Sequence, residues 1–169
     1  NIGTGAFVQR VVDRDPGAVA GLLTALVLDE GAQYCYALEG TVNGAGSALD
    51  AISGEHGLDG AELAARLPLW LAECQTPPLF LNGVSGLGAP FWVSDFTSRF
   101  IGAGGVPERL VAAVESIVFL LQSNLEAIEA QLVPALDIVV SGGLAALDGL
   151  CLRLAALSGR PVWRAAQTE

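Results

Sequence analysis

A long apolar stripe in the second half of the chain constrains the fold more than any other feature. Pro107 suits the first turn of a helix, and Glu108 complements the positive end of the helix dipole. Apolar side chains then recur every three or four residues, which predicts one amphipathic helix whose stripe faces a core. The stripe consists of Leu110, Val114, Ile117, Leu121, Leu125, Ile128 and Leu132.

The order of the other patterns predicts the fold class. Residues 22–28 and 34–38 are β-prone runs around Gly31, which predicts an antiparallel hairpin closed at Glu39 and Gly40. Antiparallel strands that lead into strand–helix–strand units predict an α/β fold, with a mixed sheet and flanking helices. Further strands are predicted after the turn at 3–5 and at 79–81, 136–140 and 161–164, and further helices at 47–52, 60–70 and 147–157.

Composition restricts the class of partner. The chain has 169 residues, 52% of them hydrophobic, which is enough for one domain with a buried core. A net charge of −10 argues against a nucleic-acid partner and favours a small molecule. No uninterrupted apolar run approaches the roughly 18 residues that span a bilayer, and no basic leader is visible, so we expect no membrane partner.

Single residue types exclude several chemistries. The chain contains no lysine, which excludes a Walker A loop, a protein-kinase lobe and Schiff-base catalysis. Cys35, Cys74 and Cys151 are widely spaced, which indicates buried thiols in a reducing, cytoplasmic compartment rather than a metal cluster. His56 is the only histidine and lies in a glycine-rich loop, so Ser-His-Asp chemistry has little support.

Residues 85–92 read Ser-Gly-Leu-Gly-Ala-Pro-Phe-Trp and join a flexible glycine loop to a rigid aromatic end. The preceding apolar run at 79–81 predicts that this loop leaves a buried strand. Two interpretations of the segment stay open at this point. It is either a glycine turn followed by core aromatics or the built wall of a site.

Three glycine turns, at residues 3–5, 43–46 and 141–143, fall where strands meet loops or helices. Backbone amides at such turns can bind phosphate oxygens. Each turn alone is a weak signal, because glycine is frequent throughout this chain. None matches Gly-x-Gly-x-x-Gly at a strand-to-helix junction, so a dinucleotide site is disfavoured.

Four segments in order, at residues 3–7, 36–40, 85–92 and 139–143, resemble the carboxy-terminal lobe of FGGY carbohydrate kinases, the glycerol kinases in particular. The resemblance implies an actin-like, ribonuclease-H-like ATPase lobe that holds ATP and Mg²⁺ against a second, sugar-binding lobe. Residues 1–169 would then be the nucleotide-binding lobe, truncated at both ends. Its partners would be a sugar or polyol and the amino-terminal lobe, and a homo-oligomer is left open.

The resemblance also implies roles for individual residues. Thr4 and Gly5 would face the β and γ phosphates, Gly46 would lie near the nucleotide, and Gly142 and Gly143 would approach the adenosine side. Backbone amides and a hydroxyl can stabilise a transferring phosphoryl group without lysine.

Phe7 would touch the substrate, while no residue of this chain is assigned as a metal ligand or as catalytic. The family's catalytic aspartate belongs to a Gly-Asp-Gln segment upstream of the first turn, and the chain starts too late to contain it.

Four positions depart from the family pattern. Leu147 replaces an asparagine after the adenosine turn, and Asp50 stands where glycerol kinases carry glutamine. Val93 replaces the aspartate that follows the tryptophan, and Arg99 comes two residues late. These changes affect the expected adenine contacts and the substrate-side loop.

Three functional hypotheses follow. The leading one is the ATP-binding lobe of a kinase that transfers the γ-phosphoryl group to a hydroxyl of a sugar or polyol such as glycerol, inactive as a fragment. The second is a non-catalytic, degenerate actin-like module. The third is a plain α/β domain whose glycines serve only turns.

Overall fold

One long helix, α3, forms the centre of the molecule. In the computed structural model, which describes residues 1–29, 31 and 34–165, α3 spans Val106–Glu129 and buries twelve of its residues. Pro107 stands in its first turn, as predicted. The apolar stripe is buried from Leu110 to Ile128, while Leu132 lies beyond the end of the helix.

By length and composition alone, α3 is apolar enough to cross a membrane. Its sequence contains no long uninterrupted apolar run, because glutamate and serine residues break it. Within the protein, however, 61% of its most apolar window is buried against other elements. That burial is what a core helix requires.

The first three strands form an antiparallel sheet in the order β1-β3-β2, with β1 at Ala6–Val12, β2 at Leu23–Asp29 and β3 at Tyr34–Val42. The predicted hairpin is therefore confirmed. The predicted end at Glu39 and Gly40 is wrong, because β3 continues to Val42. All of β1 pairs with the part of β3 from Tyr36 to Val42.

Two helices and a second sheet follow. Helix α1 spans Gly46–Glu55 and α2 spans Gly60–Glu73, whose first turn is capped by the Asp59 carboxylate. Strand β4, at Leu79–Leu81, pairs antiparallel with β5 at Arg99–Ile101, a strand that the apolar pattern did not predict. Only Phe80 of β4 is buried, so the expectation of a fully buried strand is corrected.

The last third of the chain contains the parallel pair. Strand β6, at Ile138–Val140, pairs with β7 at Val162–Arg164. A short 3-10 helix at Gly143–Ala146 and helix α4 at Asp148–Ser158 connect the two strands. The strand begins later than predicted, since Leu136 lies outside it and is 90% exposed.

Helices thus pack on both antiparallel and parallel strand pairs, which is the predicted α/β class. The strands do not form one mixed sheet, however, because their pairings divide into three small sheets. Helix α3 contacts the strands β1, β3 and β4 and the other three helices, so it joins these sheets through a common core. The three cysteines are only partly buried and are all free thiols.

We expect Ile117→Ala to lower the free energy of unfolding by about 2–5 kcal/mol, because Ile117 is fully buried on α3 and its truncation leaves a cavity. Leu136→Ala is the matched control and should change stability by less than about 0.5 kcal/mol. Urea unfolding followed by circular dichroism measures both. A large loss at Leu136 would show that it belongs to the core after all.

Candidate functional site

The turns at 3–5 and 43–46 are joined by backbone hydrogen bonds at the start of α1. The Gly46 amide donates to the Gly3 carbonyl at 2.8 Å, and the Ala45 and Ser47 amides donate to the Thr4 carbonyl at 3.1 and 3.0 Å. The Ser47 hydroxyl adds a bond of 3.2 Å to the same carbonyl. These bonds use amides that a helix N-terminus cannot pair internally, and they hold Thr4 beside that positive end.

The turn at 141–143 reaches the same place through Ile2. The Ile2 amide donates to the Ser141 carbonyl at 2.7 Å, and the Leu144 amide donates to the Ile2 carbonyl at 3.0 Å. Ile2 is 2% exposed, so these bonds are shielded from water. All three predicted glycine turns therefore meet around residues 2–5.

Three of the glycines are required by close backbone contacts. A Cβ atom on Gly46 would lie 2.8 Å from the Gly3 carbonyl oxygen, and one on Gly142 would lie 2.6 Å from that of Ile2. Gly142 also has a φ of +92°, and a Cβ on Gly5 would lie 3.0 Å from the Val42 oxygen. Gly143 differs, because a Cβ there would meet no atom within 4 Å. The space beside Gly143 is open.

The meeting point carries amides that donate to nothing else. Within the described ranges, the amides of Thr4, Gly5, Gly142 and Gly143 make no hydrogen bond to a backbone or side-chain acceptor. Thr4 and Gly143 are exposed, Gly5 is half-buried and Gly142 is buried. Unpaired amides beside a helix N-terminus can bind an anion, and here all four belong to neutral residues.

Asn82 and Asn43 support this arrangement, and the sequence analysis missed both. Asn82 is 5% exposed and donates to the Gly44 carbonyl at 2.7 Å. Asn43 donates to the Ser85 carbonyl at 3.1 Å. The only available sequence signal for Asn82 was a polar residue directly after the apolar run of β4.

The loop at 85–92 has a buried glycine-rich part, at Gly86, Gly88 and Ala89, and an exposed aromatic end. Phe91 and Trp92 are 51% and 48% exposed, so the interpretation as core aromatics is wrong. Paired backbone bonds between Leu87 and Val93, at 2.8 and 3.0 Å, close the loop at its base. The Trp92 indole donates to the Gly21 carbonyl at 2.9 Å, which holds the ring against the segment before β2.

The departures from the family pattern fall at different depths. Asp50 is exposed on α1, and Arg99 is exposed in β5. Leu147 is half-buried between the 3-10 helix and α4, packed against the main core. Its apolar side chain therefore contributes to packing where an amide would offer hydrogen bonds.

Arg164 holds the segment that follows the turn at 141–143. Its guanidinium donates to the Ala145 carbonyl at 2.7 Å and to the Asp148 carboxylate. The hydrogen bond with Asp148 raises the pKa of Arg164 above its ordinary value. This contact links β7 to the start of α4 and so fixes the exit of the 141–147 segment.

No group of three or more histidine, cysteine, aspartate or glutamate side chains that could hold a metal ion occurs in the part of the chain that the structure describes.

Phe7 is 40% exposed and follows the first turn as the second residue of β1. The structure therefore brings Thr4, Gly5, Gly46, Gly142 and Gly143 together, with Phe7 beside them.

The chain is similar to curated proteins along nearly its whole length. Two curated relatives are glycerol kinases, from Alkalilimnicola ehrlichii at 35% identity and from Xanthobacter autotrophicus at 31%, and each match covers 99% of this chain. The chain spans 35% of the length of either relative.

Solved structures share the fold. The Plasmodium falciparum glycerol kinase with ADP superposes with a TM-score of 0.81 at 21% identity, covering 99% of this chain and 34% of that one. A gluconate kinase from Lactobacillus acidophilus superposes with a TM-score of 0.82 at 19% identity, covering 99% and 35%. These matches support the actin-like, ribonuclease-H-like fold class.

The family model described as the C-terminal domain of the FGGY family of carbohydrate kinases matches residues 1–169. This chain therefore belongs to the FGGY family of carbohydrate kinases.

Proposed function

We propose that this chain is the nucleotide-binding lobe of an ATP-dependent kinase that phosphorylates a hydroxyl of a sugar or polyol such as glycerol. The observation that carries the proposal is the convergence of unpaired amides from two glycine turns beside the N-terminus of α1. The names of the relatives, which are glycerol kinases, support the same reaction class.

The residues present fit a nucleotide. Thr4 and Gly5 offer two amides and one hydroxyl, which suit the β and γ phosphates, and Gly46 keeps the underlying helix close to them. The open space at Gly143, next to Gly142, suits the adenosine side. When bound, ATP supplies the phosphoryl group that is transferred.

The chain's own contribution to such a reaction is to bind and orient. Rigid amide donors, already held by the bonds to Gly3 and Thr4, stabilise phosphate charge without reorganising during transfer. Phe7 would present an apolar surface to the carbon skeleton of the substrate. The proton of the substrate hydroxyl would be accepted by an aspartate of the other lobe.

Mg²⁺ belongs to the proposal only as a companion of the nucleotide. The described residues form no cluster of carboxylates that would hold it, so its ligands would come from phosphate oxygens and from the rest of the protein.

A cytoplasmic location is proposed on the three free cysteines, since thiols persist in reducing compartments.

We also propose that the rest of the protein completes the sheet of this lobe. A cavity of about 300 Å³ lies between β1 and β6, floored by Leu121 and Leu125 of α3. Asn1 already exchanges two backbone bonds with Phe7, at 3.0 and 2.9 Å, and Ile2 bonds to Ser141. A strand continuing this ladder would run antiparallel to β1 and join the first sheet to the β6–β7 pair.

The degenerate, non-catalytic module remains the rival function. Its specific support is the half-buried Leu147, which offers no hydrogen bond on the adenosine side. Phosphorylation of glycerol or another polyol by a longer polypeptide with the second lobe would decide for the kinase. Nucleotide binding by that polypeptide without turnover on any polyol would decide for the rival.

We expect ATP with Mg²⁺ to shift the NMR amide signals of Thr4, Gly5 and Gly143 in this chain. Gly143→Ala should weaken binding about 10-fold, or about 1.4 kcal/mol, because its Cβ would occupy the open space without a clash inside the protein. Gly60→Ala is the matched control, since its Cβ also meets nothing. Shifts clustered elsewhere, or equal effects of both variants, would contradict the assignment.

Hydrogen exchange tests the proposal that a further strand inserts between β1 and β6. The amides of Gln9 and Val139 point away from β3 and β7 by strand alternation, so they should exchange rapidly in this chain. In a longer polypeptide that includes the second lobe, we expect both to be slowed at least about 100-fold. Val8 and Ile138 are paired already and serve as controls. Unchanged rates at Gln9 and Val139 would refute strand insertion.

A further inference from the structure

Asn82 is a buried amide at the end of β4 that bonds to three other parts of the protein. Its Nδ2 donates to the Gly44 carbonyl at 2.7 Å and to the Ser116 hydroxyl on α3 at 3.1 Å. Its Oδ1 accepts from the Val84 amide at 3.2 Å. Both the Nδ2 group and the Oδ1 atom of this side chain therefore have partners, so the buried amide ties three segments into one polar network.

The bond to Gly44 places Asn82 one step from the candidate nucleotide site. Gly44 precedes Ala45 and Gly46, whose amides donate to the carbonyls of Thr4 and Gly3. A Cβ on Gly44 would lie 2.7 Å from the Val84 oxygen, so the turn is pressed against the segment that follows Asn82. A shift of the Gly44 carbonyl would therefore move the support of Thr4.

The Ser116 bond connects the same side chain to the buried core helix α3. Ser116 is 3% exposed on α3 and donates to the Ala113 carbonyl at 2.7 Å, which orients its oxygen toward Asn82. The chain of contacts runs from α3 through Ser116 and Asn82 to Gly44. It ends at the 43–46 turn, whose amides donate to the Gly3 and Thr4 carbonyls.

We propose that Asn82 is a positioning residue for nucleotide binding, which fixes the 43–46 turn and through it the amides of Thr4 and Gly5. The inference rests on the proposed function, because it assigns a role within the same site. Asn82 itself is buried and has no direct contact with the nucleotide in this proposal. Its effect is to keep the phosphate-binding donors in one geometry.

Asn124 provides a matched control for Asn82. It is also a fully buried asparagine, it lies on α3, and its side chain donates to the Leu120 carbonyl of the same helix at 3.0 Å. Its contact is with Gly40 in the middle of β3, away from the 43–46 turn. Truncating either side chain removes a buried amide, but only Asn82 supports the site.

The experiment compares Asn82→Ala, Asn124→Ala and the unchanged chain in an NMR titration with ATP and Mg²⁺, together with urea unfolding. We expect both variants to unfold at lower urea, while only Asn82→Ala weakens nucleotide binding, by about 10-fold or more. In Asn82→Ala, the amides of Ala45, Gly46 and Ser47 should also exchange faster than in the unchanged chain, whereas the exchange rates of the α4 amides should not change.

The outcomes separate this inference from the proposed function. Failure of the unchanged chain, and of a longer polypeptide with the second lobe, to bind ATP refutes the proposed function. Binding by the unchanged chain with less than a 2-fold effect of Asn82→Ala overturns the role of Asn82 alone. If Asn82→Ala does not fold, Ser116→Ala takes its place in the titration. We expect it to lower the affinity for ATP by at least about 3-fold, and an unchanged affinity would overturn the role of Asn82.

Discussion

The bonds between the first amides of α1 and the carbonyls of Gly3 and Thr4 are the interaction on which the candidate site depends. A helix N-terminus leaves amides that must find acceptors, and a glycine turn offers carbonyls only if its backbone approaches closely. Gly46 allows that approach, since a Cβ there would touch the Gly3 oxygen at 2.8 Å. Within the described residues the amides of Thr4 and Gly5 donate to no acceptor, so they are available to the ligand that we propose.

Helix α3 provides the rigid frame behind these turns. Its buried face contacts the first sheet, β4 and the three other helices, so elements far apart in sequence are held at fixed distances. Ser116 extends this frame through Asn82 to Gly44, and Ile2 connects the third turn through Ser141. The site is therefore an outcome of core packing, although its ligand-facing groups belong to the backbone.

The net charge of the chain opposes the nucleotide binding that we propose. The chain carries a net charge of −10, which repels a polyanion such as ATP at long range. The converging residues Thr4, Gly5, Gly142 and Gly143 are neutral, so attraction must come from oriented amides and the helix dipole at short range.

Periodicity and turn residues determined much of this protein by themselves: the α3 stripe, the β2–β3 hairpin, the glycine turns and the α/β class all follow from local spacing. Strand β5, the exposure of Leu136 and Trp92 and the division into three sheets did not, because burial and strand pairing depend on which distant residues are neighbours. Thr4, Gly46 and Gly143 were indicated only by the resemblance of four ordered segments to the FGGY kinases. Only the tertiary structure showed that the turns meet, and that Asn82 holds one of them, because a hydrogen bond over 38 residues leaves no periodic trace in the sequence.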